Sequence, residues 1–277
     1  TILQISPPTG KRILVAVEGI QSNIWMVNLS DFSVNRITFE GNNGWPAWFP
    51  DGNFVTYAVN RQEIWTPVRK AADGSGAEQR LLPPKTSGVP NSWSPDGKFL
   101  LFHIDSPNRQ NGQDIFLAPM EGAGAAQMAS QIRSFVATPG SDGFAQVSPD
   151  GKWVAYASNE SGKFEVYVVP LRESGQKRQV SLAGGSGPRW SRDGRELFYR
   201  DGLRLMSAPV VTTPTFTSGT PVELFTSNTE QPNLQLPNYD VSADGQRFLM
   251  VRTAAQELGP SQLNIVLNWP LLLSKTN

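Results

Sequence analysis

Along this chain the apolar positions fall in short runs separated by turn residues, and nowhere do they hold a helical period long enough to predict a helix. Runs rich in β-branched and aromatic residues cover Arg12 to Val17, Phe54 to Val59, Lys98 to Ile104, Trp153 to Ala157, Glu196 to Tyr199 and Arg247 to Val251. Each follows a tetrapeptide of one type: Phe49-Pro50-Asp51-Gly52, Ser94-Pro95-Asp96-Gly97, Ser148-Pro149-Asp150-Gly151, Ser191-Arg192-Asp193-Gly194 and Ser242-Ala243-Asp244-Gly245, with Pro7-Pro8-Thr9-Gly10 a weaker copy. Proline presets φ at the first corner, Asp bonds neighbouring amides and Gly takes the left-handed corner, so each copy predicts a hairpin turn. Asp51, Gly52, Asp96, Gly97, Asp150, Gly151, Asp193, Gly194, Asp244 and Gly245 are therefore structural turn residues.

The turns recur every 42 to 54 residues, the period of one propeller blade. After each second strand comes a shorter third, at Ile24-Trp25, Ile64-Trp65, Ile115-Phe116, Val166-Tyr167, Leu205-Met206 and Ile265-Val266. Fourth, outer strands are predicted at Arg36-Ile37-Thr38, Arg80-Leu81-Leu82, Gln179-Val180-Ser181 and Glu223-Leu224-Phe225. The expected fold is all-β: one domain over 1–277, a six-bladed β-propeller of four-stranded antiparallel blades at about 1–44, 45–88, 89–140, 141–186, 187–235 and 236–277.

Before each turn stands Ile5, Trp48, Trp93, Val147, Trp190 or Val241, preceded by Gln4, Ala47, Ser92, Gln146, Arg189 or Asp240. Successive strand residues point to opposite faces, which predicts an apolar ring packed between blades and a more polar ring nearer a central channel. Most tryptophans fall at repeat-equivalent positions and are read as core; Trp45 stands apart, just before the first strand of blade 2 where the channel opens. Trp45, Asn91, Gln146, Arg189 and Asp240 are the candidate ligand-binding residues at that mouth. Arg189 and Asp240 occupy equivalent positions on neighbouring blades, and either pair with one another, the favoured reading, or leave one of them to meet a ligand.

Composition narrows the chemistry. The 277 residues carry 24 Lys+Arg against 24 Asp+Glu, one His and no Cys. Zero net charge gives no electrostatic reason to expect nucleic acid as a partner. The absence of Cys removes disulfides, thiolate metal sites and thiol nucleophiles. With 39% apolar and 17% charged residues the chain encodes a packed core. The apolar stretch Leu263 to Leu273 is broken by Asn264, Asn268 and Pro270, short of the roughly 18 residues of a membrane span, so no membrane insertion is expected. Thr1 in place of an initiator Met suggests a processed form or an excised piece of a longer protein.

His103, the lone histidine, has no second imidazole to share a metal, and a structural role is favoured. The turn aspartates sit one per blade, too far apart for the roughly 5 to 10 Å of a glycosidase pair. Asp73-Gly74-Ser75-Gly76 and Glu121-Gly122-Ala123-Gly124 resemble fragments of a dinucleotide loop but join strands, not a strand to a helix. No Gly-x-Ser-x-Gly elbow is present. No catalytic residue, metal ligand or cofactor is assigned.

Trp93-Ser94-Pro95-Asp96-Gly97-Lys98 resembles the hallmark turn of the TolB-like, WD40-like propeller repeats, and the resemblance extends over essentially the whole chain. Tyr156 to Gly162, Glu165 to Val168 and Gly184 to Trp190 are similar to propellers that follow bacterial Ser/Thr kinases and winged-helix regulators, as are Tyr239 to Leu249 and Asn264 to Trp269. Thr9, Arg192 and Ala243 depart from the pattern, and kinase signatures are absent. The resemblance implies a sensory or scaffolding module, monomeric and extracytoplasmic, that binds a protein, peptide or small molecule at the channel mouth. The rival expectations are a propeller enzyme, a metal-dependent lyase or hydrolase, and a periplasmic TolB-like scaffold.

Overall fold

The computed structural model describes residues 2–5, 10–17, 20–105, 112–121, 125–172, 175–227 and 238–251. The first repeat folds into β1 (Ile2–Ile5), β2 (Arg12–Val17), β3 (Asn23–Asn28) and β4 (Val34–Arg36), an antiparallel sheet in chain order. The second repeats this with β5 (Asn42–Trp48), β6 (Phe54–Arg61), β7 (Ile64–Ala71) and β8 (Gln79–Arg80). The third has β9 (Val89–Trp93), β10 (Phe99–Asp105), β11 (Gln113–Pro119), a short helix α1 (Ala125–Gln131) and β12 (Arg133–Val136). The fourth has β13 (Asp142–Val147), β14 (Trp153–Ser158), β15 (Glu165–Pro170) and β16 (Arg178–Gln179). In the fifth, β17 (Ser186–Trp190), β18 (Glu196–Asp201) and β19 (Arg204–Val211) are followed by β20 (Thr217–Ser218) and β21 (Val222–Thr226), which pair with opposite ends of β19. The last repeat contributes β22 (Tyr239–Val241) and β23 (Phe248–Met250), a two-stranded sheet.

The architecture is thus an all-β propeller of four-stranded antiparallel blades. Five blades are present among the described residues, not the six expected, because the sixth repeat supplies only a hairpin there. Its expected third strand, Ile265-Val266, and Trp269 lie outside the described residues, as does the weak first turn at 6–9. The boundaries placed at 44/45 and 186/187 fall inside β5 and β17. Helix α1 was not expected, its seven residues being too short to show a period.

The outer strands also begin earlier than predicted, and the hydrogen bonds say why. Thr38 Oγ1 accepts from the Ile24 amide at 2.9 Å and Ser181 Oγ accepts from the Val166 amide at 2.7 Å. A side chain therefore replaces the backbone partner, and the ladder ends before it. Ile37, Leu81 and Val180, read as outer-strand residues, turn inward instead and are buried.

Each second strand is apolar on both faces because both are covered. On β2, Ile13 and Val15 pack with Leu249 and Val251 of the sixth repeat, whereas Leu14 and Ala16 pack with Val55, Tyr57 and Val59 of the second. On β18, Leu197 and Tyr199 face the fourth blade, and Phe198 faces Tyr239 and Phe248. Period-two alternation thus distributes one strand between two interfaces. Contacts with both the fifth and the first repeats place the β22–β23 hairpin in the gap between them.

The turns make a second ring of contacts. In the third repeat Ser94 Oγ donates to Asp96 Oδ1 at 2.5 Å and accepts from the Phe99 amide at 2.9 Å, while Asp96 Oδ1 accepts from the Lys98 amide at 3.1 Å. The fourth, fifth and sixth repeats reproduce this network from Ser148, Ser191 and Ser242. Phe49 replaces the serine in the second repeat, and its ring stacks edge-on against Trp93 of the next blade at 4.9 Å. A Cβ on Gly97 would stand 2.8 Å from that ring. At the join, a Cβ on Gly10 would meet Ala243 of the sixth turn at 3.9 Å.

Gly97→Ala should therefore lower unfolding free energy more than Gly245→Ala. Both glycines have positive φ (70° and 68°), costing roughly 1 kcal/mol each, but nothing lies within 4 Å of a Cβ at Gly245. Phe49 is wedged between Phe54 and Trp93 and cannot move aside cheaply, which adds about 1–3 kcal/mol for overpacking. Urea denaturation of the two variants, if equal, would refute this contact.

Candidate functional site

The first strand of the second, third, fourth and fifth blades is interrupted. Register shifts fall between Gly44 and Ala47, around Asn91, between Gly143 and Gln146 and between Ser186 and Arg189. Trp45, Phe144 and Gly187, three residues before Trp48, Val147 and Trp190, all have positive φ (51°, 57° and 59°). Pro90 holds that place in the third repeat; its ring forbids positive φ, and only Asn91 is left unopposed there. Such bulges re-aim the side chains on either side of them.

Beyond the bulges, the last residues of these strands and the turns that follow enclose a cavity of about 490 Å³. Its wall takes Ala47, Ser92, Gln146, Arg189 and Asp240 from successive repeats, and beside them Trp48, Trp93, Val147, Trp190 and Val241. The rim takes Pro50, Pro95, Pro149, Arg192 and Ala243, with Gly10 from the first repeat. The tryptophans lean back on the preceding blade. Trp93 Nε1 donates to Thr56 Oγ1 and Trp190 Nε1 donates to the Gln146 carbonyl, both at 3.0 Å. Trp48 lies under the Arg12 guanidinium, 4.7 Å from its ring centre, and Arg12 also donates to the Gly52 carbonyl at 2.7 Å.

Three of the five expected mouth residues, Gln146, Arg189 and Asp240, meet in this cavity. Trp45 and Asn91 do not line it. Straight alternation would put Trp45 on the same face as Ala47, but the intervening bulge turns it against Trp65, ring centres 4.6 Å apart, beside the core of blades 1 and 2. The Asn91 side chain turns to His103 and its carbonyl accepts from Gln146 Nε2 at 3.4 Å. Ser92, one residue on, takes the wall position and accepts from the Val147 amide of the next blade at 3.2 Å. Ser92 and Arg192 were not singled out as binding residues; alignment of the repeats on their turns is the signal that finds both.

Arg189 and Asp240 approach each other across the fifth and sixth repeats, Nε to Oδ1 3.4 Å, with both side chains largely buried. Arg189 Nη1 donates to the Pro188 carbonyl at 3.2 Å, and Nη2 has no acceptor among the described residues. Next to them Tyr239 is fully buried, its hydroxyl donating to the Gly187 carbonyl at 2.7 Å. Burial pushes this phenol above its ordinary range against the pull of Arg189 and Arg200. Arg200 is fully buried and donates to the Gly202 carbonyl at 3.1 Å; burial lowers its pKa.

The remaining candidates are local structure. Asp73 accepts from the Ser75 amide at 2.8 Å, so that amide is committed within its own turn; residues 122–124 of the other glycine stretch lie outside the described residues. The Ser191 hydroxyl and Arg195 amide hold the Asp193 carboxyl below its usual range, and Ser242 and Gln246 do the same for Asp244. Asp142, fully buried, accepts from the Thr138 amide at 2.7 Å and hydroxyl at 2.8 Å; burial raises its pKa. His103 meets Asn91 Nδ2 through Nδ1 at 3.1 Å, and burial pushes it down to about 4. Among the described residues no three His, Cys, Asp or Glu side chains converge on one point.

No family model matches the chain. An uncharacterized protein of Agrobacterium fabrum is 26% identical over 167 residues, covering 56% of this chain and 53% of that relative, so the match spans about half the relative's length. TolB from Acinetobacter baumannii superposes with a TM-score of 0.68 at 17% identity, over 93% of this chain and 61% of its own. A TolB-like protein of Agrobacterium tumefaciens gives 0.65 at 18%, over 88% and 86%. Enzymes share the architecture: a periplasmic gluconolactonase of Pseudomonas aeruginosa gives 0.58 at 17%, over 92% and 82%, and an oligogalacturonate lyase in complex with manganese gives 0.54 at 13%, over 87% and 82%. The likeness is one of fold, and the fold is a TolB-like β-propeller.

The buried neutral imidazole makes a pH prediction. The folded pKa of His103 is about 4 against 6.5 when free, so the unfolded chain binds the proton more readily. Its contribution is fully present above pH 6.5 and is lost as pH falls from there to about 4, by about 3 kcal/mol at most. Urea unfolding at pH 7 and at pH 4.5 should show a larger acid loss for the wild type than for His103→Gln; equal losses would contradict the assignment.

Proposed function

We propose that this propeller is a non-catalytic binding module that takes a protein segment, peptide or small molecule into the cavity at the turn end of its channel. The observation that carries this reading is how the repeats differ. From the second repeat to the sixth they keep Asp-Gly at the turn, and next to the wall they keep Trp or Val. At the wall itself, where the same strand position faces one shared space, they hold Ala47, Ser92, Gln146, Arg189 and Asp240, five different residues. Packing needs a repeated solution; a ligand needs a different group on each side. The volume of about 490 Å³ is in the ordinary range of small-molecule sites.

The finer features belong to the same proposal. The propeller is six-bladed, on the strength of the sixth repeat's hairpin seated between the fifth and first repeats. The propeller works outside the cytoplasm as a monomeric sensor or scaffold, supported by its likeness to TolB; among the described residues no helix is long and apolar enough to cross a membrane. It belongs to a larger bacterial signalling protein such as a Ser/Thr kinase or a winged-helix regulator, supported by the resemblance of Tyr156 to Val168 and Gly184 to Trp190 to their propellers. Balanced charge supports the exclusion of nucleic acid.

A metal-dependent lyase or hydrolase is the second reading, favoured by the fold shared with the manganese-bound lyase and the gluconolactonase. Metal analysis of the purified protein and turnover assays on lactones and uronates separate the two, and turnover of either class would sink the binding reading. Under that reading, a ligand found by thermal shift should bind Gln146→Ala about tenfold more weakly, by calorimetry, while Trp45→Ala binds as wild type. The reverse pattern would move the site to the other end of the channel.

A further inference from the structure

We infer that the cavity takes a ligand bearing a single carboxylate on an apolar body, the carboxylate held by Arg189 and Arg192 of the fifth blade. This rests on the reading of the cavity as the binding site and gives that site its ligand class.

The lining is two-sided. Trp48, Pro50, Trp93 and Pro95 of the second and third repeats make one side apolar, and among the described residues the charged ones of the lining, Arg189, Arg192 and Asp240, stand together on the other. Arg189 is 4% exposed, and its guanidinium is incompletely served: Asp240 takes Nε, the Pro188 carbonyl takes Nη1, and Nη2 has no acceptor among the described residues. Buried polar groups as a rule find a partner, and a guanidinium offers paired N–H donors in the geometry of a carboxylate. The cavity that Arg189 lines is the space from which that acceptor can come.

Arg192 is the second, independent observation. It stands where three other repeats place Pro50, Pro95 and Pro149 on the cavity rim. The turn does not need the arginine. Ser191 Oγ still donates to Asp193 at 2.7 Å, the Arg195 amide still reaches Asp193 at 3.1 Å, and the Gly194 amide still reaches the Ser191 carbonyl at 2.9 Å, as in the proline-bearing turns. The exchange changes the rim from an apolar ring to a cation, three residues along the chain from Arg189 and opening on the same cavity.

Charge balance selects the anion. Two arginines and one aspartate leave the lining with one net positive charge. A carboxylate neutralises it, whereas a phosphate dianion would leave negative charge beside Asp240, where like charges repel.

Titration calorimetry of the full chain with phenylacetate, phenylacetamide, benzylammonium and inorganic phosphate tests this. Phenylacetate should bind at least about tenfold more tightly than the other three, and added salt should weaken it. Arg192→Pro, which restores the repeat's own residue, should keep the thermal midpoint and lower phenylacetate affinity about tenfold, leaving phenylacetamide unchanged. Arg192→Gln makes the same comparison if proline disturbs the turn. The carboxylate assignment is overturned if phenylacetamide or phosphate binds as tightly as phenylacetate, or if both Arg192 variants bind phenylacetate like the wild type. Should benzylammonium or phenylacetamide bind in a Gln146-dependent way while phenylacetate does not, the ligand class falls and the binding module stands. If no probe binds in a way that Gln146→Ala or the Arg192 variants alter, both fall.

Discussion

Every blade of this propeller is a small sheet that is apolar on both faces, and within its own repeat it has nothing to cover either. That constraint organises the molecule. Leu101 on one face of β10 packs with Ala145 and Tyr156 of the next blade, and Leu100 and Phe102 on the other pack with Leu81 and Leu82 of the blade before. Burying both faces of every sheet requires neighbours on both sides, which a closed ring provides and an open row does not. The contacts of Ile13 and Val15 with Leu249 and Val251 close it.

A ring assembled this way leaves a space on its axis, and the chain decides what fills it at two levels. The bulges in the first strands of the second and third blades turn Trp45 away from the space and commit Asn91 to His103. The turns form the rim, and Phe49, Pro95 and Pro149 pack against Gly97, Gly151 and Gly194 of the repeats that follow them. The tryptophans lean back into the blades and leave the smaller and more polar residues, from Ala47 to Asp240, at the wall. The site is built from positions that packing does not dictate, held by positions that it does.

This division explains why one architecture serves scaffolds and enzymes alike. TolB, a gluconolactonase and a manganese-bound lyase have this propeller at identities below 20%, because blade packing constrains the strands and leaves the wall and rim open to variation. In the present chain the variation concentrates on the fifth and sixth repeats, where Arg189, Arg192 and Asp240 stand together. The same repeats give the ring its seam, with Tyr239 bonded to the Gly187 carbonyl across it.

The amino-acid sequence by itself determined the repeats, their turns and the pairing of strands, because these depend on local chemistry: Asp and Ser bonding amides a few residues away, Gly accepting positive φ, and apolar residues at alternate positions. It also located Gln146, Arg189 and Asp240, whose shared position follows from counting back from the turn. Trp45 and Asn91 were misplaced because a bulge breaks the count, and nothing in the composition of Gly44 to Ala47 marks where a strand takes one extra residue. The ends of the outer strands were misjudged because Thr38 and Ser181 stop the ladder through side-chain bonds to the neighbouring strand of their own blade, 14 and 15 residues earlier in the chain. That the sixth repeat's hairpin sits between the fifth and the first, and that Arg189 Nη2 finds no acceptor among the described residues, are matters of how separate blades meet. Contacts between segments some fifty residues apart or more decide them, and only the tertiary structure brings those segments together.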